Sequence, residues 1–264
     1  MIGLNYFAEG LQGSGKSTLV KKISGLCREC AVICEGDYSP TELAWCAYMD
    51  EQQYLAVLAK YPELRSQIEA QTFAEGAHRI VCYTKIQTDQ ERFYKDLEQY
   101  EIYNGRMPFE EFRSVILRRF ANWNGGDLIF ECSLFQNIVT DMLLFRNASD
   151  AEIMALYRDI RLALSGKEFH IFYLETEDIR ENLLAVRRER TDENGNEIWF
   201  SMLCGFFDAS PYAKIHVVSG EQGIIEHLQH RQALELQICR EIFPEQYTIL
   251  RSKKYEDAEI IAAL

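Results

Sequence analysis

Proline is scarce in this chain, five residues in 264. That excludes a proline-rich linker or a low-complexity tract of that kind. No apolar run approaches the roughly 18 residues of a membrane span, so no transmembrane helix is expected. The first residues hold no basic segment leading into an apolar one. They read as a core strand rather than a secretory leader. Positive charge is also in deficit, with 28 Lys and Arg against 41 Asp and Glu, a net charge of −13. An acidic surface of that size argues against a nucleic acid polymer or a membrane as the partner. It leaves room for a local basic pocket that takes a nucleotide. There is no internal repeat.

Eight cysteines stand at 27, 30, 34, 46, 82, 132, 204 and 239, mostly inside apolar segments. That usage suits a reduced, cytoplasmic protein. Cys27-Arg28-Glu29-Cys30 has the spacing of half a zinc site or a redox pair. A structural zinc site wants a second pair, and none is present; His227 and His230 are the only histidines spaced closely. The four-residue stretch reads as small, half-buried thiols at a helix-to-strand junction.

At 47% hydrophobic composition the chain can bury a full core. A single domain over 1–264 is the simplest reading. Five short apolar runs suggest strands: 2–9, 30–36, 127–133, 169–176 and 213–220. Runs of this kind fit parallel strands buried on both faces. Helical spacing separates them, as in Leu19, Ile23 and Leu26, or Ile179, Leu183 and Val186. The expectation is an α/β fold, three layers around a five-stranded parallel sheet. Between the second and third strands lies an insertion, about 40–125. It reads as helices over roughly 40–60, 64–79, 89–104 and 108–122, with a strand in 78–86 left open.

Four stretches carry chemistry. In "EGLQGSGKSTL", 9–19, Gly10 is followed after four residues by Gly15-Lys16-Ser17. Glycines let backbone N–H groups of Leu11 to Ser17 line one concavity, and the next helix adds its positive end. Gly10, Gly13, Ser14, Gly15, Lys16, Ser17 and Thr18 are the expected nucleotide contacts, with Lys16 on the outer phosphates and the Ser17 hydroxyl on Mg²⁺. Glu131 ends the strand in "DLIFECSLFQN", where a carboxylate can hold Mg²⁺ or act as a cap. Glu35 and Asp37 follow the second strand, and either can take a proton from an acceptor hydroxyl. Asp37 can equally build a turn, with Ser39 or Thr41 capping a helix. Trp45 and Tyr48 form an aromatic pair that can stack a base or fill a core. Arg187, Arg188 and Arg190 precede a polar loop, forming a lid over about 187–198 or a solvated helix end paired with Glu181 and Glu193.

The order of these features resembles the P-loop nucleoside and nucleotide kinase superfamily, deoxynucleoside and thymidylate kinases above all. The resemblance rests on "EGLQGSGKSTL", on "FECS" at 130–133, and on "RRER" at 187–190 after "YLETEDIRENL". It spans about 1–45 and 127–230. It implies a P-loop NTPase fold, ATP and Mg²⁺, and transfer of the γ-phosphoryl to a small-molecule acceptor resembling a nucleoside or nucleotide. A homodimer is compatible with it. By position it implies Glu35 as base and Arg188 and Arg190 as the arginines on the transferred group. Three positions depart from the pattern. Gly36 stands for the usual proline, Cys132 for the arginine that steadies the acceptor, and Asn137 for the acid that reads the base. The departures keep two rivals open, a kinase of a sugar or antibiotic hydroxyl and a nucleotide-binding switch or weak ATPase.

Overall fold

The computed structural model describes residues 4–27 and 29–264. The chain divides into two compact units, residues 1–32 with 124–264, and residues 33–123.

The first unit is built on a five-stranded parallel sheet. Its strands are β1 (Asn5–Gly10), β2 (Ala31–Ile33), β6 (Leu128–Glu131), β7 (Phe169–Glu175) and β8 (Tyr247–Arg251), in the order β2-β6-β1-β7-β8. Every residue of the central strand β1 is buried, as its apolar run implies. Side chains alternate across the sheet. Tyr6, Ala8, Phe172 and Leu174 share a core with Leu19, Val20 and Ile23 of helix α1 (Lys16–Leu26). On the other face Phe7 stacks on Phe130 at 4.8 Å. Tyr173 there bonds to Glu235 of the long helix α11 (Gly220–Ile242).

Four of the five expected strands lie where the apolar runs are. The segment 213–220 does not form the fifth. It begins as helix α10 (Pro211–His216), with the Ser210 hydroxyl accepting from the Ala213 N–H and Pro211 at the first helical position. That start signal outweighs the β-branched residues after it. Ile215 and Val217 are exposed, whereas a core strand would bury one side of its residues. The fifth strand is β8, and its Leu250 is fully buried.

Residues 33–123 hold a three-stranded antiparallel sheet, with β3 (Ala47–Asp50), β5 (His78–Val81) and β4 (Thr72–Glu75) in that order. Its helices are α2 (Glu51–Lys60), α3 (Arg65–Ala70), α4 (Glu91–Glu98) and α5 (Phe109–Asn122). The insertion is thus less helical than its composition suggests. The expected helix at 40–60 starts only at Glu51, where Asp50 and Gln53 form a capping box. The one at 64–79 stops at Ala70, because Gly76 turns the chain into a hairpin that pairs Glu75 with His78. Met49, Val57, Leu58, Ile68, Val81, Phe93 and Leu97 form the core of this unit.

The remaining α-helices of the first unit are α6 (Gln136–Thr140), α7 (Asp150–Ala163), α8 (Ile179–Glu189), α9 (Ile198–Ala209) and α12 (Asp257–Ile261), with a π-helical turn over Asp141–Phe145 after α6. Among the described residues no helix is long and apolar enough to cross a membrane. Cys27 and Cys30, expected as half-buried thiols, instead form a disulfide with Cα atoms 5.6 Å apart. That separation is within the ordinary range for a bridge, and both residues pack half-buried against the α1 core.

Candidate functional site

The loop between β1 and α1 begins where the central strand runs out. Gly10 has φ 139°, and a side chain there would press on the Leu174 carbonyl. Gly13 has φ 75°, and a Cβ there would collide with Val186 of α8. Both positions therefore need glycine for space as well as for conformation. No side chain caps α1 at Gly15, and its first turn holds no acidic residue. The opening N–H groups and positive end of the helix are left for an anion.

Lys16 is buried, and its Nζ donates to the Gly10 carbonyl at 3.0 Å and the Leu11 carbonyl at 2.8 Å. Ser17 and Thr18 are exposed on the first turn. The Ser17 hydroxyl donates to Glu131 Oε1 at 2.5 Å. Glu131 reaches it because β6 pairs in parallel with β1, placing Glu131 beside Ala8. One hydroxyl and one carboxylate in contact suit Mg²⁺, which commonly takes one or two protein oxygens and completes its shell with phosphate and water. Among the described residues no group of three or more His, Cys, Asp or Glu side chains could hold a metal. A hydroxyl and a carboxylate are too few to close a cage around a metal, and would leave most of its shell to other donors.

Beneath the loop lies a polar cluster that sequence reasoning missed. Arg231 is fully buried and donates to Glu235 Oε1 at 2.8 Å, Gln12 Oε1 at 3.2 Å, Thr140 Oγ1 at 3.3 Å and the Gly10 carbonyl at 3.3 Å. Tyr173 donates to the other Glu235 oxygen at 2.6 Å. Glu9 is also fully buried. One of its oxygens accepts from the Leu134 N–H at 2.6 Å, and the other has no partner. Burial raises its pKa to about 7, with Glu235 adding to the rise and Lys16 and the Leu134 N–H opposing it.

Helix α8 runs past the loop and carries the arginines at its far end. Arg187 is pinned by Glu197 at 2.5 Å and Glu221 at 3.1 Å, and lies over the Phe200 ring. Arg190 lies over Trp199, 4.7 Å from the ring centroid. Arg188 is exposed, with Glu181 at 4.0 Å. Glu181 thus pairs with Arg188 rather than Arg187. The polar loop is ordered by Asp192, which accepts from the N–H groups of Asn194 and Asn196. The arginine that fixes this segment is Arg187, while Arg188 and Arg190 are exposed.

In the second unit, Glu35 is exposed and accepts from the Trp45 indole N–H at 3.0 Å. Asp37 holds its own turn, accepting from the Cys34 N–H at 2.8 Å and pairing with Lys85 at 2.8 Å. Ser39 accepts from the N–H groups of Thr41 and Glu42, closing a turn rather than starting a helix. Trp45 and Tyr48 do not share a face. Trp45 sits in a turn and is half exposed, while Tyr48 is buried in β3 against His78. Cys132 and Asn137, the two departures beyond Glu131, sit on β6's exit. Cys132 is buried with φ 62°, in the left-handed region that favours glycine, and Asn137 is half-buried at the start of α6.

No protein-family model matches this chain, and no curated protein matches it in sequence.

Proposed function

We propose that this protein is a kinase of P-loop nucleoside and nucleotide kinase type, acting on a nucleoside- or nucleotide-like acceptor. The observation that carries the reading is the loop Gly10–Ser17, seated between a buried central strand and an uncapped helix, with Ser17 bonded to Glu131. Bound Mg²⁺-ATP would supply the phosphoryl group and the charge that needs stabilising. The chain's own part is positioning. Lys16 and the loop amides hold phosphate oxygens, and Ser17 with Glu131 holds the metal. Arg188 and Arg190 are the candidate cations for the transferred group, since a guanidinium meets phosphate oxygens through a forked set of donors. Arg188 is the better placed to move, because an exposed pair at 4.0 Å gives up little when it breaks.

The test is to incubate the protein with Mg²⁺-ATP and a panel of nucleosides, nucleotides and sugars, and to look by mass spectrometry for a gain of one phosphoryl group. A nucleoside or nucleotide should gain it. Lys16→Ala should abolish transfer, by about a hundredfold or more, while the circular dichroism spectrum stays that of the wild type. Full turnover by that variant would sink the proposal. Consumption of ATP with no phosphorylated acceptor would replace it by a switch or ATPase.

A further inference from the structure

The loop is held from outside by two side chains far from it in sequence. Asn182 of α8 donates from Nδ2 to the Gln12 carbonyl at 2.8 Å. Ser252, in the turn after β8, donates from Oγ to the Ser14 carbonyl at 2.8 Å. Lys253 links the two. Its Nζ donates to Asn182 Oδ1 at 3.4 Å, and its Cγ lies 3.9 Å from where a Cβ on Gly15 would be. Asn182 thus gives its N–H to the loop and its oxygen to Lys253, which fixes the orientation of its amide. Lys253 keeps this place with φ 61°, a conformation that costs a non-glycine residue free energy and persists where the surroundings enforce it.

Peptide geometry gives these bonds a consequence for phosphate. In a trans peptide the carbonyl of one residue and the N–H of the next point in opposite directions, and the described chain has no cis peptide. With the Gln12 carbonyl turned to α8, the Gly13 N–H faces away from α8. With the Ser14 carbonyl turned to the 252–253 turn, the Gly15 N–H faces away from that turn. Both glycines lie in the left-handed region, at φ 75° and 98°. Glycine planes rotate at low cost, so outside partners decide where these two dipoles aim. Dipoles already aimed need no reorganisation when charge arrives.

We propose that Asn182 and Ser252 are positioning residues that pre-set the Gly13 and Gly15 amides for a phosphate chain, with Lys253 coupling one clamp to the other. The proposal rests on reading the loop as a phosphate cradle. It also gives a role to the turn after β8, whose sequence by itself suggests none.

The experiment measures binding of inorganic tripolyphosphate and of Mg²⁺-ATP to the full chain by calorimetry, with the melting temperature of each variant taken without ligand. The wild type binds tripolyphosphate. Ser252→Ala and Asn182→Ala each weaken it about five- to tenfold, the worth of one hydrogen bond, with the unliganded melting temperature nearly unchanged. Ser252→Thr keeps the hydroxyl and restores affinity. Where an alanine variant does not fold, Asn182→Asp carries the same expectation, since it keeps the shape but turns an oxygen toward the Gln12 carbonyl. Variants that bind as tightly as a binding wild type overturn the proposal, as does a threonine variant that fails to recover. A wild type with no affinity for tripolyphosphate removes the phosphate-cradle reading beneath it, a result distinct from the other two.

Discussion

Arg231 and Glu235 stand four residues apart on the long helix α11, the spacing of an ordinary surface ion pair. Folding makes it something else. Both side chains are buried, at 1% and 0% exposure, and the guanidinium divides its donors among a carboxylate, an amide oxygen, a hydroxyl and the Gly10 carbonyl. Arg231→Met would take the guanidinium from the buried Glu235 carboxyl and leave it the Tyr173 hydroxyl alone. A buried pair broken on one side costs about 3–5 kcal/mol, and chemical denaturation should read a loss of that size. Arg231→Lys should recover little, because a single ammonium cannot span four acceptors set out for a planar fork. A methionine variant within about 1 kcal/mol of the wild type would contradict this. The same residue shows where sequence reading stops. The placement of Lys16 and Ser17 at the start of α1 was legible because strand, loop and helix are contiguous there, and that of Glu131 because β6 ends in an acid. Glu9, Arg231 and Glu235 were not, since helical spacing does not tell a buried charge from a solvated one.

At the scale of elements, four strands were readable from buried apolar runs and the fifth was not. The segment 213–220 has β-branched residues, but Ser210-Pro211 starts a helix ahead of them. The run Tyr247–Arg251 is short and ends in arginine, so its apolar signal is weak; pairing with β7 brings Leu250 into the core beside Leu19 and Leu174, where it is buried. Leu250→Ala should therefore cost about 2–4 kcal/mol, as removal of a fully buried leucine does. Val217→Thr, in the segment that composition favours as a strand, should change stability by less than about 0.5 kcal/mol because Val217 is exposed. Melting curves of the two variants decide between the two segments, and a reversed order would contradict the sheet described above. The insertion was misread for a related reason. Its Glu, Leu and Arg content suits helices, while the Gly76 turn and the pairing of β4 with β5 are set by a few residues that composition averages away.

For the molecule as a whole, an excess of acid over base is more than a surface property, because some of the acid is inside. Glu42 is buried, and its pKa is raised to about 8. Burial is the main cause, and Glu35 adds to it. The Ala44 N–H, Tyr103 and Arg119 oppose it. Glu101 is raised to about 7 in the same way, with Tyr83 and Arg106 opposing. A carboxyl whose folded pKa lies above its unfolded value holds its proton more tightly when folded. Its contribution is therefore most favourable at low pH and is lost as pH rises from the ordinary 4.5 toward about 8. His227 acts in the opposite sense. Burial lowers its pKa to about 3, so stability falls as pH drops below its ordinary 6.5. Above 6.5 His227 is neutral in both states, and there the melting temperature should decline with pH. Glu42→Gln should flatten that decline, one group accounting for at most about 1.4 kcal/mol per pH unit. A glutamine variant whose profile runs parallel to the wild type's would remove Glu42 from the account. The Ser14–Ser252 bond has another kind of reach, because its partners are 238 residues apart. A ribosome making this chain finishes Gly10–Ser17 early and the residue that steadies it long afterwards. A nascent chain stopped before β8 would carry the whole motif with the Asn182 bond and without the Ser252 one, so, if the two clamps act as proposed, translation itself would keep the loop half-set until the fifth strand and its turn have been made.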